Sequence, residues 1–156
     1  MLSDKAKKEI EAALKKYPNK RSAVMDALRV AQHDRGGHLE RADMDDIAVM
    51  LDMNPVEVNA AAAFYTMYNI RKPVGKYHVQ VCRNISCSLL GAEHIIKYME
   101  RYLNIKTGET TPDNRFTLST VECLGSCGTA PMMQINDDYF ENLTEQKVDE
   151  IIKKLV

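Results

Sequence analysis

The sequence predicts a mixed protein of the α+β or α/β class, in which an N-terminal bundle of helices precedes a small α/β domain. Apolar residues in the first seventy positions recur only at helical spacing. At residues 77–82 (YHVQVC) the pattern changes to the alternation of a half-buried strand. A proline- and glycine-containing break at residues 72–75 (KPVG) separates the two patterns. We therefore expect a four-helix domain over residues 1–71 and an α/β domain over residues 72–156.

The first and fourth predicted helices of the first domain have clear start or stop signals. Ser3 can cap the first helix, and Pro18 stops it after about residue 17. The second and third helices are predicted over about residues 21–35 and 42–51, and the fourth begins at Asn54 with a proline at its first position. The small residues 60–63 permit close helix approach. We expect the side chains that follow to pack in the interior: Phe64, Tyr65, Met67 and Tyr68.

The second domain is predicted to have the element order β-α-β-β-β-α. The strand over residues 77–82 is followed by an amphipathic helix over 91–103 and by a strand over 116–122. A hairpin over 132–141 and a helix from Thr144 to Leu155 complete the domain. Because a helix joins the first two strands, they should be parallel with a right-handed crossover, whereas the last two should be antiparallel. This order resembles a thioredoxin-like fold in which a cysteine-containing loop replaces the middle helix.

The four cysteines form one pattern, Cys82-x4-Cys87 and, after 35 further residues, Cys123-x3-Cys127. Each pair begins where a predicted strand ends. If the two strands are parallel neighbours, their carboxyl ends place both cysteine-bearing loops at one edge of the sheet, where α/β proteins usually carry their chemistry. The sequence therefore predicts that four thiols converge.

Several uses of four converging thiols are possible. Structural zinc commonly uses C-x2-C pairs, which are absent here. Two disulfides would suit a small secreted protein, and a thioredoxin-type dithiol requires C-x2-C at the start of a helix. Inert buried cysteines would be scattered through a core. A [2Fe–2S] cluster requires four thiolates and tolerates varied spacings, so it is the favoured interpretation, and zinc remains the main alternative.

Small residues around the second pair fit a negatively charged cluster. Gly125, Ser126 and Gly128 would let backbone N–H groups approach the sulfur atoms and offset their charge, and we expect them to surround the ligands. Histidine can replace thiolate in some iron–sulfur centres. No histidine lies in a cysteine-bearing loop, however; the four are His33, His38, His78 and His94.

Longer motifs resemble one family over essentially the whole chain. They are VCRNISC, VECLGSCGTAPMMQIND, GETTPD and FYTMYNIRKPVGKYHVQVC. They resemble the thioredoxin-like [2Fe–2S] subunit of respiratory complex I (NADH:quinone oxidoreductase), known as the E or 24-kDa subunit. The resemblance implies one [2Fe–2S] cluster, with Cys82, Cys87, Cys123 and Cys127 as its ligands and no catalytic residue.

The resemblance also implies an electron-transfer role within a proton-translocating NADH dehydrogenase. The implied partner is the flavoprotein subunit of the F or 51-kDa type, which holds FMN and NAD(H), and through it the Fe–S peripheral arm. The seven glycines form neither G-x-G-x-x-G nor a P-loop, so this chain alone has no complete active site. The alternatives are the equivalent subunit of an NAD-linked formate dehydrogenase or of an NAD-reducing or bifurcating hydrogenase, a free ferredoxin-like carrier, and a zinc-stabilised interaction module.

Composition excludes two further classes of partner. A net charge of −1 and a pI near 6.4 provide no broad basic field for nucleic acid. No run of apolar residues is close to the length of about 20 residues that a membrane span requires, so we expect no direct membrane insertion. We expect a peripheral subunit on the cytoplasmic side of a bacterial inner membrane, or on the matrix side if the chain is a processed mitochondrial protein.

Overall fold

A computed structural model describes residues 1–155 and divides the chain into two units, Met1–Pro73 and the chain from Val74 onward. The first unit contains α1 (Asp4–Leu14), α2 (Val24–Asp34), α3 (Arg41–Leu51) and α4 (Pro55–Phe64). A 3-10 turn at Lys20–Ala23 leads into α2. The caps are those that the sequence indicates: the Ser3 hydroxyl accepts a hydrogen bond from the Ala6 N–H, and Asn54 caps α4 with Pro55 at its first position.

The core of the first unit is formed by one apolar face from each helix. Ile10, Leu28, Ile47 and Val58 come from the four helices in turn, and all are fully buried. Asp43 is the one charged residue among the buried residues of this unit that the structure describes. Its carboxylate accepts two hydrogen bonds from the Arg35 guanidinium, at 2.6 and 3.1 Å, so the buried charge is compensated.

The expectation that residues 64–68 pack in the interior is wrong for most of them. Phe64 is 78% exposed, and Tyr65 and Met67 are also exposed, whereas Tyr68 is buried and donates its hydroxyl hydrogen to the Met25 carbonyl. The reason is that α4 ends at Phe64 and Tyr65 adopts an extended backbone. The residues that follow therefore do not continue the apolar stripe of the helix.

The second unit is a four-stranded sheet with two long helices and one short helix, within residues 74–155. Its strands are β1 (Tyr77–Cys82), β2 (Phe116–Val121), β3 (Met133–Ile135) and β4 (Asp138–Phe140), and its helices are α5 (Ile85–Leu89), α6 (Ala92–Leu103) and α7 (Glu145–Leu155). The strand order is β2-β1-β3-β4. The predicted mixed α/β architecture is confirmed, and α5 is an addition to it.

Strand pairing follows the predicted directions. β1 and β2 are parallel over six residue pairs, from Tyr77 with Phe116 to Cys82 with Val121. β3 is antiparallel to both β1 and β4. The inward-facing Val79 and Val81 pack with apolar residues of α6 and α7, which include Met99 and Ile152. The shared ladder of β1 and β2 therefore fixes the relative position of the segments that leave their carboxyl ends.

No helix within residues 1–155 combines the length and the apolar character that crossing a membrane requires.

Candidate metal centre

The first cysteine pair is buried at the end of a strand and on a short helix. Cys82 is the last residue of β1, and Cys87 lies within α5; their exposed fractions are 3% and 2%. Together with Ala92 and Met132 they form a small apolar cluster. The expectation that both members lie on one loop is therefore wrong for this pair. The cause is the tight turn of α5, which is too short to show a periodic pattern in the sequence.

Local hydrogen bonds explain this turn. The Arg83 N–H donates to the Val121 carbonyl at 2.9 Å and extends the parallel pairing by one residue beyond β1. Asn84 then caps α5 by accepting a hydrogen bond from the Ile85 N–H, and the Ser88 hydroxyl donates to the Arg83 carbonyl at 2.8 Å. The chain consequently reverses between Cys82 and Cys87, and the two thiols are close enough to hydrogen-bond.

The second pair is exposed on the segment after β2. Cys123 and Cys127 are both exposed, and Cys127 begins a 3-10 turn that ends at Thr129. Between them, Gly125 has a φ of +79°, a left-handed conformation that other residues adopt only with strain. The Gly125 N–H donates to the Cys123 Sγ at 3.3 Å. The sequence predicts this kind of contact, in which a backbone N–H group approaches the sulfur atom of a ligand.

Both cysteine-bearing segments leave the same edge of the sheet. Cys82 is paired with Val121, so Cys123 follows only two residues beyond the level of Cys82. The Cys82 Sγ lies 3.9 Å from the Glu122 carbonyl oxygen, and Arg83 and Glu122 form an ion pair at 3.1 Å. The parallel strands therefore bring the two pairs to neighbouring positions.

Burial favours the protonated form of the Cys87 thiol. Burial, and then the hydrogen bond with Cys82, raise the pKa of the Cys87 thiol above its ordinary value, and the nearby Cys127 adds to the effect. Cys87 is therefore protonated at neutral pH when no cation is present. Because metal ligands are thiolates, Cys87 would have to lose this proton if it bound iron.

The donor set fits an iron–sulfur cluster chemically. It consists of four thiols in two pairs at one sheet edge, and such a set suits a two-iron cluster in which each pair would hold one iron. Within residues 1–155, no three or more His, Cys, Asp or Glu side chains are close enough together to hold a single metal ion. The identity of the four ligands therefore stays a prediction from the sequence.

The other residues of the predicted surroundings have different roles. Gly128 lies in the 3-10 turn, with open space around it. The Ser126 hydroxyl donates to the Glu141 carboxylate, and its oxygen lies 2.8 Å from the Thr129 hydroxyl oxygen. Two histidines are hydrogen-bonded elsewhere, His78 to Ser119 at 2.8 Å and His94 to Glu145 at 2.9 Å.

Sequence reasoning missed three residues that support the site. Met132 is fully buried against the inner cysteines, and its carbonyl accepts a hydrogen bond from the Cys82 N–H at 3.1 Å. Tyr139 and Glu141 hydrogen-bond to the segment between and after the outer cysteines. Alternation in the hairpin could have placed residues 139 and 141 on one face, but nothing in the sequence indicates which loop that face meets.

Comparison with protein families gives one match that spans nearly the whole chain. Residues 10–156 match the family model described as thioredoxin-like [2Fe-2S] ferredoxin. Among similar proteins, the NADH-quinone oxidoreductase E-type subunit (number 2) of Rhizobium meliloti is 46% identical over 147 residues, which cover 94% of this chain and 86% of that protein. The NADH-quinone oxidoreductase E-type subunit of Rickettsia conorii is 48% identical over 147 residues, 93% of this chain and 87% of that protein.

Comparison with solved structures supports the fold alone. A chain in the crystal structure of the air-oxidised NAD+-reducing [NiFe]-hydrogenase superposes with a TM-score of 0.71 at 21% sequence identity. The match covers 85% of this chain and 22% of that chain. The hydrogen-reduced state of that hydrogenase gives the same values.

Proposed function

The chain belongs to the thioredoxin-like [2Fe-2S] ferredoxin family, and on this premise we propose that it is the E-type electron-transfer subunit of an NADH:quinone oxidoreductase. Because the chain belongs to this family, its cofactor is a [2Fe–2S] cluster. The similar proteins from Rhizobium meliloti and Rickettsia conorii both carry the name of the E-type subunit of NADH-quinone oxidoreductase, and this chain covers more than four fifths of each. Their names support the choice of host complex.

The observation that supports the proposal is that two cysteine-bearing segments leave the same carboxyl edge of β1 and β2. Cys82 and Cys87 would hold the inner side of the cluster, where burial excludes water. Cys123 and Cys127 would hold its outer side, which faces the surface and is open to a redox partner. The Gly125 N–H at the Cys123 Sγ offsets negative charge on the thiolate. When bound, the cluster supplies a carrier for one electron at a time.

The proposed electron donor is the FMN of a partner flavoprotein of the 51-kDa type. NADH gives up two electrons as hydride, whereas one cluster accepts a single electron, so the flavin must lie between them. This chain carries neither nucleotide-binding glycine motif, and the partner would therefore supply both FMN and the NAD(H) site. Through that partner, the chain would join the peripheral arm, on the cytoplasmic side of a bacterial inner membrane or the matrix side of a mitochondrial one.

Reconstitution tests the electron-transfer role. The cluster-loaded chain is mixed with the flavoprotein under anaerobic conditions, NADH is added, and electron paramagnetic resonance (EPR) spectra are recorded. We expect an additional signal that requires both proteins and NADH, and its loss when a Cys123→Ser chain replaces the normal one. A cluster that dithionite reduces, but that NADH and the flavoprotein leave oxidised, would contradict the proposal.

Purification of the native assembly tests the host complex. We expect quinone-reducing complex I subunits to co-migrate with this chain. Co-migration of hydrogenase or formate dehydrogenase subunits instead would assign the chain to one of the alternative complexes.

A further inference from the structure

The edge strand β4 and the residue after it contact the segment that carries the outer cysteines. The Tyr139 hydroxyl donates to the Leu124 carbonyl at 2.9 Å. The Glu141 carboxylate accepts hydrogen bonds from the Ser126 hydroxyl and from the Thr129 hydroxyl, the latter at 2.7 Å. Residues 139 and 141 are two positions apart and therefore lie on the same side of the extended chain. One side of this edge thus contacts the cysteine-bearing segment on both sides of Cys127.

Backbone hydrogen bonds continue the same contact. The Asn142 N–H donates to the Thr129 carbonyl at 2.7 Å, and the Leu143 N–H donates to the Pro131 carbonyl at 2.9 Å. The Lys147 ammonium in turn donates to the Glu141 carbonyl at 2.6 Å. Residues 139–143 therefore fix the segment 124–131 at several successive positions.

This contact matters because the outer cysteines have little other support. Both are exposed, and neither lies in a strand or in an α-helix. A hydrogen bond to an ionised carboxylate is roughly twice as strong as a neutral one. The bonds from Ser126 and Thr129 lower the pKa of Glu141, so its side chain is ionised at neutral pH. Its carboxylate is the common acceptor for the hydroxyl groups on either side of Cys127.

We propose that Glu141 is a positioning residue for the [2Fe–2S] cluster, because it fixes the segment that carries the proposed ligands Cys123 and Cys127. Tyr139 supports the same segment at Leu124. The inference rests on the proposed ligand set. It does not depend on the electron donor or on the host complex.

The test uses the cluster-loaded full chain with four substitutions. Glu141→Ala removes the carboxylate, Glu141→Gln keeps an acceptor oxygen without the charge, and Tyr139→Phe removes the bond to Leu124. Glu150→Ala is the matched control, since Glu150 is an exposed carboxylate on α7. The measurements are the rate at which visible absorbance disappears in excess iron chelator, the EPR spectrum after dithionite reduction, and the midpoint potential.

We expect Glu141→Ala to release its cluster at least fivefold faster than the normal chain and to show an altered or broadened EPR spectrum. Glu141→Gln should release its cluster about twofold faster. Loss of a negative charge beside the ligand segment should also raise the equilibrium constant for reduction of the cluster about threefold. This corresponds to a positive shift of about 28 mV in the midpoint potential of a one-electron couple. Tyr139→Phe should release the cluster faster as well, and Glu150→Ala should match the normal chain.

Normal release rates, spectra and potentials in both Glu141 variants would overturn the inference. If Glu141→Ala takes up no cluster, Glu141→Gln decides: a shifted potential with faster release supports the inference, and values equal to those of the normal chain overturn it. Dithionite replaces the biological donor, so failure of NADH-dependent reduction, which would refute the proposed function, leaves this test unaffected.

Discussion

Acidification should destabilise the second unit through one histidine. His78 lies in β1, with its side chain partly buried and hydrogen-bonded to Ser119. Burial lowers the pKa of His78 to about 4. The folded chain therefore keeps the imidazole neutral at pH values where the unfolded chain protonates it. The perturbation is a change from pH 7 to pH 5, applied to the normal chain and to a His78→Gln variant.

The sign and the size of the effect follow from the two pKa values. Between pH 4 and about 6.5, the ordinary value for histidine, the unfolded chain binds the additional proton, so the free energy of unfolding falls as the pH falls. For a folded pKa of about 4, the loss between pH 7 and pH 5 is about 2 kcal/mol. The stabilisation is complete above the unfolded value and disappears progressively below it.

Urea unfolding followed by circular dichroism measures this loss in the reduced, cluster-free chain. The normal chain should lose about 2 kcal/mol more than the His78→Gln variant between the two pH values, because other groups titrate alike in both chains. A nuclear magnetic resonance titration of the His78 ring provides an independent measurement of its pKa. Equal losses in the two chains, or a ring that titrates near 6.5, would refute the reasoning.

Three further substitutions test the site and both units. Cys123→Ser should alter or abolish the EPR signal of the reduced cluster; an unchanged spectrum would remove Cys123 from the ligand set. Asp43→Ala should cost roughly 2–4 kcal/mol in urea unfolding, because it removes the buried partner of Arg35, and an effect below 1 kcal/mol would contradict that account. Gly75→Ala should cost about 1–3 kcal/mol, because the new Cβ would lie 2.9 Å from the Arg115 carbonyl carbon; unchanged stability would show that the backbone yields there.

Patterns with a clear period or a strong cap predict the fold well. The alternation over residues 77–82 and the amphipathic helix that follows correctly predict a parallel β1–β2 pair, because a helical crossover leaves few other arrangements. The same argument predicts that Cys82 and Cys123 emerge at one sheet edge. Asn54 followed by Pro55 likewise predicts the start of α4.

Short elements and tertiary contacts cannot be predicted from the sequence in the same way. α5 spans five residues, fewer than two helical turns, so it has no periodicity to detect. Exposure of Phe64 depends on where α4 ends, which hydrophobicity alone does not indicate. The hydrogen bonds that Ser126 and Thr129 donate to Glu141 connect side chains that only the folded chain brings together. Such contacts depend on three-dimensional placement, and one sequence carries no signal for them.

The parallel ladder between β1 and β2 determines where the cysteine-bearing segments lie. The length of the chain that connects α6 to β2 does not determine it. Six residue pairs set the distance between those segments, and residues 108–111 of the connecting chain are themselves hydrogen-bonded to β2. A change of length at the exposed residues 106 and 107, which precede this pairing, should therefore have little effect on where the sulfur atoms lie. An evolving complex could use that stretch to add a surface for a new neighbour while the redox centre stays in place.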